Sequence, residues 1–164
     1  MQFIRHWTTA DRLYINKLVL KARMTEKYYL DTCIWRDFYE NRFSKLGKPL
    51  GEYAAELFTK ILKKRNQIIF SESLLWELKK DYSEDEIKDI LNLLILNGIL
   101  IKIEITQEEH TEAKRLAQNR NLPYVDCLNA VQARNNKAVM VSRDAHFTGK
   151  LADVIKTLKP EQIS

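Results

Sequence analysis

The sequence predicts an α/β domain: a mainly parallel sheet with helices on both faces. Two observations carry that prediction. Short apolar runs, none longer than a strand, alternate with longer stretches of helical periodicity. Serine, threonine, glycine and proline punctuate the junctions as caps and stops. The length, 164 residues, allows one well-packed core and is short for two.

In chain order, Tyr28–Leu30 reads as the first strand, and Asp31 follows it directly. Ile34, Trp35, Phe38 and Tyr39 then repeat at helical spacing, which predicts a helix to about Asn41. "RFSKLGKPLG" is a loop. "EYAAELFTKILKKRN" is a helix closed by a basic run that suits a helix C-terminus. "QIIF" is a buried strand, followed by a helix capped by Ser71 or Ser73 with Glu77 one to two turns inside. Ser83 with Glu86, and Thr106 with Glu109, have capping-box spacing and start two further helices. The first stops at Gly98 and the second at about Arg120. "ILIKIEI" between them is a strand. After a turn at Pro123 comes another helix, then the strand "AVMVS", and the tail holds one more short strand stopped by Pro160.

Composition is that of a soluble globular protein, 45% hydrophobic and 30% charged. No apolar run approaches the roughly 20 residues of a membrane helix, and "MQFIRHWTTADRLY" lacks the apolar core of a secretory signal. Cys33 and Cys127 form neither a zinc spacing nor a disulfide framework, so a reducing cytoplasm is the expected location. The net charge of +5 invites a nucleic-acid reading, but it is unevenly spread. Arg5, Arg12, Lys17, Lys21 and Arg23 against Asp11 leave residues 1–23 at +4 and the rest at +1. A boundary is therefore expected at Met24: residues 1–23 are a basic helical extension, and 24–164 the domain. The extension reads as a docking helix or an over-long gene start, with an RNA-binding arm as the competing reading.

Four acids fall on one edge of such a sheet. Asp31 ends the first strand, Glu77 lies in the helix after the second, Asp126 opens a later helix, and Asp144 follows "AVMVS" by two residues. Carboxylates that converge repel one another and need a cation to stay ionised together. Oxygen donors select hard ions such as Mg²⁺ or Mn²⁺, which activate water and take up charge on a phosphodiester oxygen. Phosphodiester hydrolysis is the chemistry these residues suit.

"YYLDTCIW", Glu77 in "SESLLWEL", "YVDCLNAV" and "AVMVSRDAHF" resemble, in order and spacing, the acidic motifs of PIN domains, especially the VapC-type toxin ribonucleases. The resemblance covers residues 27 to about 163. It implies a three-layer α/β/α sandwich, a Mg²⁺- or Mn²⁺-dependent endoribonuclease acting on RNA, a homodimer, and inhibition by an antitoxin protein. By the same likeness Asp31, Asp126 and Asp144 hold metal directly or through water, and Glu77 completes the pocket. Ser142 and Thr32 match hydroxyl positions that support the acids by hydrogen bonding. Arg143, beside Asp144, is the candidate contact to the RNA backbone. Two features depart from the pattern: the extension at 1–23, and Cys127 where a small apolar residue is expected.

Plainer readings compete. Asp31 and Asp126 are also good helix caps, Asp144 an ordinary turn acid, and Glu77 a solvated helix residue with Glu72 as rival. His146 is a candidate phosphate contact or proton carrier, against an ordinary loop histidine. Cys33 and Cys127 read as small core residues, and Trp35, Phe38, Phe70 and Trp76 as packing. Lys63, Lys64 and Arg65 read as a solvated helix end. For the whole chain the rival is a catalytically silent RNA-binding or protein-interaction module. An aspartyl phosphatase lacks the second Asp two positions after Asp31.

Overall fold

The computed structural model describes residues 8–10, 12–14 and 25–164. Of the expected N-terminal helical extension, residues 9, 10 and 12–14 are helical and exposed and Thr8 is exposed without helical structure; the other residues, with the expected boundary, lie outside the described residues.

From residue 25 onward strands and helices alternate. β1 (Lys27–Leu30), α1 (Thr32–Tyr39), α2 (Leu50–Lys64), β2 (Gln67–Phe70), α3 (Glu72–Leu78) and α4 (Glu84–Leu96) make the first half. β3 (Leu100–Lys102), α5 (Gln107–Arg120), α6 (Tyr124–Asn135), β4 (Val139–Val141), α7 (Ala145–Thr148) and β5 (Thr157–Leu158) follow, then a 3₁₀ turn at Pro160–Gln162. The sheet order is β3-β2-β1-β4-β5, and every pairing is parallel.

That order places the functional edge. The chain steps outward from β1 to β2 to β3, then returns to the other side of β1 for β4 and β5. With one hand of crossover, a reversal of direction moves the connecting helices to the opposite face. Side-chain alternation along the strands records the outcome. Tyr28, Leu30, Ile68, Phe70 and Val141 pack with residues of α1 to α4. Tyr29, Ile69 and Met140 pack with α5, α6 and α7. The expected three-layer α/β/α sandwich is present.

The caps explain where the helices begin. Ser83 and Glu86, and Thr106 and Glu109, form reciprocal capping boxes on α4 and α5. Ser71, not Ser73, caps α3. One strand is shorter than its sequence suggests: "ILIKIEI" yields only Leu100–Lys102. Its partner β2 ends at Phe70, opposite Lys102, so the chain beyond Ile103 has no ladder to join. One helix was not expected, the single turn of α7, which Asp144 caps.

The far face is less apolar than the sequence indicates. Tyr29, Ser71, Ser73, Asn129 and Gln132 are all buried. The Tyr29 hydroxyl lies 2.9 Å from Asn129 Oδ1 and 3.1 Å from Gln132 Oε1. Ser73 Oγ donates to Asn129 Oδ1 at 2.8 Å. These bonds tie β1, α3 and α6 into one satisfied network, as buried polar groups require.

Candidate active site

The reversal in strand order falls between β1 and β4, where open α/β sheets leave a crevice at their carboxyl edge. A cleft of about 290 Å³ lies there, and Asp31, Glu77, Asp126 and Asp144 all line it.

Each acid is positioned by a different element. Asp31 caps α1: its Oδ1 accepts from Thr32 N at 2.8 Å. Its Oδ2 accepts from Ser142 Oγ at 2.7 Å and from the Cys33 thiol at 3.1 Å. Ser142, fully buried, also accepts from Asp144 N at 3.0 Å, so one hydroxyl couples the ends of β1 and β4. Asp144 caps α7 through His146 N at 2.8 Å. Glu77 reaches the cleft from α3, where Thr32 Oγ1 donates to its Oε2. Asp126 sits in the first turn of α6 but does not cap it. Pro123 holds the cap position without a side-chain bond, and Asp126 Oδ2 lies 2.6 Å from His146 Nδ1 instead. Capping therefore does not account for Asp126, whereas Asp31 and Asp144 both cap a helix and face the cleft.

Electrostatically this is a costly arrangement. Burial pushes the Asp31 carboxyl above its usual range, the charge of Asp126 adds to that, and the Ser142 bond opposes it. Burial likewise raises Glu77, helped by Asp31 and Asp144 and countered by the Thr32 bond. Asp126 is raised by burial and by Asp144 and Glu77, against its bond to His146. Among the described residues no lysine or arginine forms an ion pair with any of the four. With Asp31 and Asp126 buried, Glu77 and Asp144 partly exposed, and His146 rather than lysine or arginine beside them, these acids make an oxygen-rich donor set that fits a hard divalent cation.

The tightest group is not the expected Asp31, Asp126 and Asp144. Donor atoms of Asp126, Asp144 and His146 all lie within 4.8 Å of one another. Asp31, with both oxygens engaged by Thr32, Ser142 and Cys33, stands beside this group. Thr32 and Ser142 do bond acids, as their positions suggest. Cys127 is buried in the core, but Cys33 lines the cleft, its thiol pushed up by burial and by Asp31.

Arg143 requires a correction. Its Nε donates to the buried Asp37 Oδ2 at 2.9 Å and its Nη1 to Glu161 Oε1 at 3.0 Å, away from the acids. Successive residues beyond a strand point to opposite sides. Ser142 faces the site, so Arg143 is directed behind it and ties the β4–α7 loop to α1. The basic side chains on the cleft are Arg36, Arg42 and Lys80. Sequence spacing offers a signal for two of these: Arg36 lies four residues after Thr32 on α1, and Lys80 three after Glu77 in the turn that ends α3. Arg42 has no such signal, since it follows Asn41 in a left-handed backbone conformation.

Comparison with known proteins agrees with this architecture. A family model described as PIN domain matches residues 28–150. The fold is similar to a chain of VapBC2 from Rickettsia felis, solved bound to a DNA fragment from their promoter. The TM-score there is 0.57 at 17% identity, over 81% of this chain and 98% of that one. It is also similar to a chain of a toxin-antitoxin complex from Klebsiella pneumoniae, with TM-score 0.53 at 17% identity over 81% and 97%. FitAcB from Neisseria gonorrhoeae gives 0.55 at 15% identity, over 83% and 99%. At these identities the likeness establishes the fold. No curated protein matches the chain.

Proposed function

The chain belongs to the PIN domain family, and from that premise we propose that it is a divalent-metal-dependent endoribonuclease, a hydrolase of RNA phosphodiester bonds. The observation that carries the proposal is the meeting of Asp31, Glu77, Asp126 and Asp144 in one cleft, where no lysine or arginine among the described residues forms an ion pair with any of them. Asp126 and Asp144 would hold Mg²⁺ or Mn²⁺, with Asp31 beside them. A cation bound there lowers the pKa of water and takes up charge developing on the phosphate.

The chain's own residues do the rest. Ser142 and Thr32 N fix the carboxylate of Asp31 in one orientation. Glu77, raised by burial and steadied by Thr32, is suited to take the proton from the attacking water. Arg36, Arg42 and Lys80 on the rim can hold the RNA backbone. Arg36 and Arg42 are already directed by ion pairs to Glu40, Asp81 and Asp37, which fixes them in place.

The test is cleavage of single-stranded RNA by the purified chain with Mn²⁺ or Mg²⁺, abolished by chelation and by Asp126→Asn with unchanged circular dichroism. Equal cleavage by parent and variant would overturn the assignment.

The biological setting we propose is that of a toxin held by an antitoxin protein, acting in the cytoplasm as a homodimer. Two free cysteines suit that compartment, and no helix among the described residues is long and apolar enough to cross a membrane. The fold neighbours come from toxin–antitoxin complexes. Growth arrest on expression, relieved by an adjoining small reading frame, is the expected outcome. Unaffected growth would leave a processing nuclease in its place.

A further inference from the structure

We infer that His146 is a donor to the bound cation, and that its imidazole makes the site prefer Mn²⁺ over Mg²⁺. This rests on the metal-dependent reading above and goes beyond it by naming a nitrogen ligand and the selectivity that follows.

Geometry supports the role. His146 Nδ1 lies 2.6 Å from Asp126 Oδ2 and 3.4 Å from Asp144 Oδ1. Donors about 2.1 Å from one cation and at right angles to each other stand roughly 3 Å apart. The two observed spacings bracket that value. The imidazole is held there by the backbone: Asp144 caps α7 through the amide of His146, so acid and imidazole come from one tight turn. Half-exposed, the ring needs no rearrangement of the core to present the Nδ1 lone pair with its proton on Nε2.

Chemistry sets the consequence. Mg²⁺ prefers oxygen donors and keeps its waters, whereas imidazole favours transition ions. The competing account is that the imidazole merely bridges the two acids by hydrogen bonding, in the place a cation would take. The accounts predict opposite signs. If His146 only bridges, its removal frees Asp126 and tightens both ions alike. If it is a ligand, removal weakens Mn²⁺ selectively.

The experiment is calorimetric titration of the full chain with Mn²⁺ alone and Mg²⁺ alone, for the parent, His146→Gln and Asp126→Asn. Pulsed electron paramagnetic resonance of the Mn²⁺ form reads nitrogen coupling directly. The expected result for His146→Gln is a loss of tenfold or more in Mn²⁺ affinity, with Mg²⁺ affinity within threefold. The ¹⁴N coupling of the parent should disappear with it. An equal change for both ions, tighter binding, or no ¹⁴N coupling in the parent overturns the inference. The last readout needs no variant to fold. If Asp126→Asn abolishes binding and His146→Gln does not weaken it, this inference alone fails. If the parent binds neither ion, the metal-dependent reading fails with it.

Discussion

The two edges of the sheet carry opposite charge in opposite settings. At the carboxyl edge, four acids converge in one cleft and burial raises three of them. At the amino edge, where the strands begin, Lys27, Lys64 and Lys137 outnumber Glu26 around an open depression that Thr25, Asn66 and Asn136 complete. Lys64 and Lys137 are exposed there. Solvated lysines cost the fold little, because water screens them. Clustered, buried acids oppose folding, and such groups persist where function requires them. Charge at the amino edge is thus surface charge, whereas charge at the carboxyl edge marks the candidate site.

The sharpest way to break it is to compare one charge from each edge. Asp144→Asn keeps the cap of α7, since Asn caps as well as Asp, yet should lower RNA cleavage by about a hundredfold or more, roughly 2.7 kcal/mol of barrier. Lys64→Ala should stay within about twofold of the parent. Equal losses in gel-based cleavage rates would show that the carboxyl edge is not special.

Arg143 tests whether the working edge is braced from behind. Arg143→Met removes a charged bond to buried Asp37, while Arg42 stays 3.6 Å away. The expected cost is about 2 kcal/mol in denaturant unfolding, with the salt slope of RNA affinity unchanged. A flatter slope without destabilisation would restore Arg143 as an RNA contact. Lys80→Ala, on the cleft itself, should instead reduce that slope by about one.

pH offers a test of sign. Asp31, Glu77 and Asp126 titrate higher folded than unfolded. The folded chain therefore holds protons that the unfolded chain has released, and stability falls as pH rises from the unfolded carboxylate range, near 4, through the raised folded values. The metal-free melting temperature should carry this decline, and Asp126→Asn should reduce it. Mn²⁺ should raise the parent's melting temperature most at the upper end. A rise in stability across that range, assignable to the cluster by comparing parent and variant, would contradict its repulsive character.

The smallest effect is expected from the proposed boundary. Deleting residues 1–23 should leave circular dichroism and melting nearly unchanged. A lower salt slope for RNA would identify the segment as an arm, and an unchanged one would dismiss that role.

Much of the candidate site is legible because three of its acids sit near strand–helix or loop–helix junctions, where chain order and sheet polarity fix their place. Asp31 follows β1 directly and Asp144 comes three residues after β4, and each also caps the helix that follows. The direction of Arg143 was not legible, because sequence adjacency to Asp144 says nothing of which side of the chain a residue faces. The place of His146 is hidden in the sequence, since its partner Asp126 lies twenty residues away and the packing of α7 on α6 joins them. The polar network around Tyr29 was hidden as well: Asn129 and Gln132 look solvent-facing until α6 proves buried along almost its whole length.

The bond from Ser142 to Asp31 joins residues 111 positions apart, and that separation has a temporal consequence. As the chain leaves the ribosome, Asp31 emerges first, and Ser142, which must bond it, follows 111 residues later. The cleft cannot assemble before β4 has been made, so a chain cut short of that strand lacks two of the groups that line or brace it.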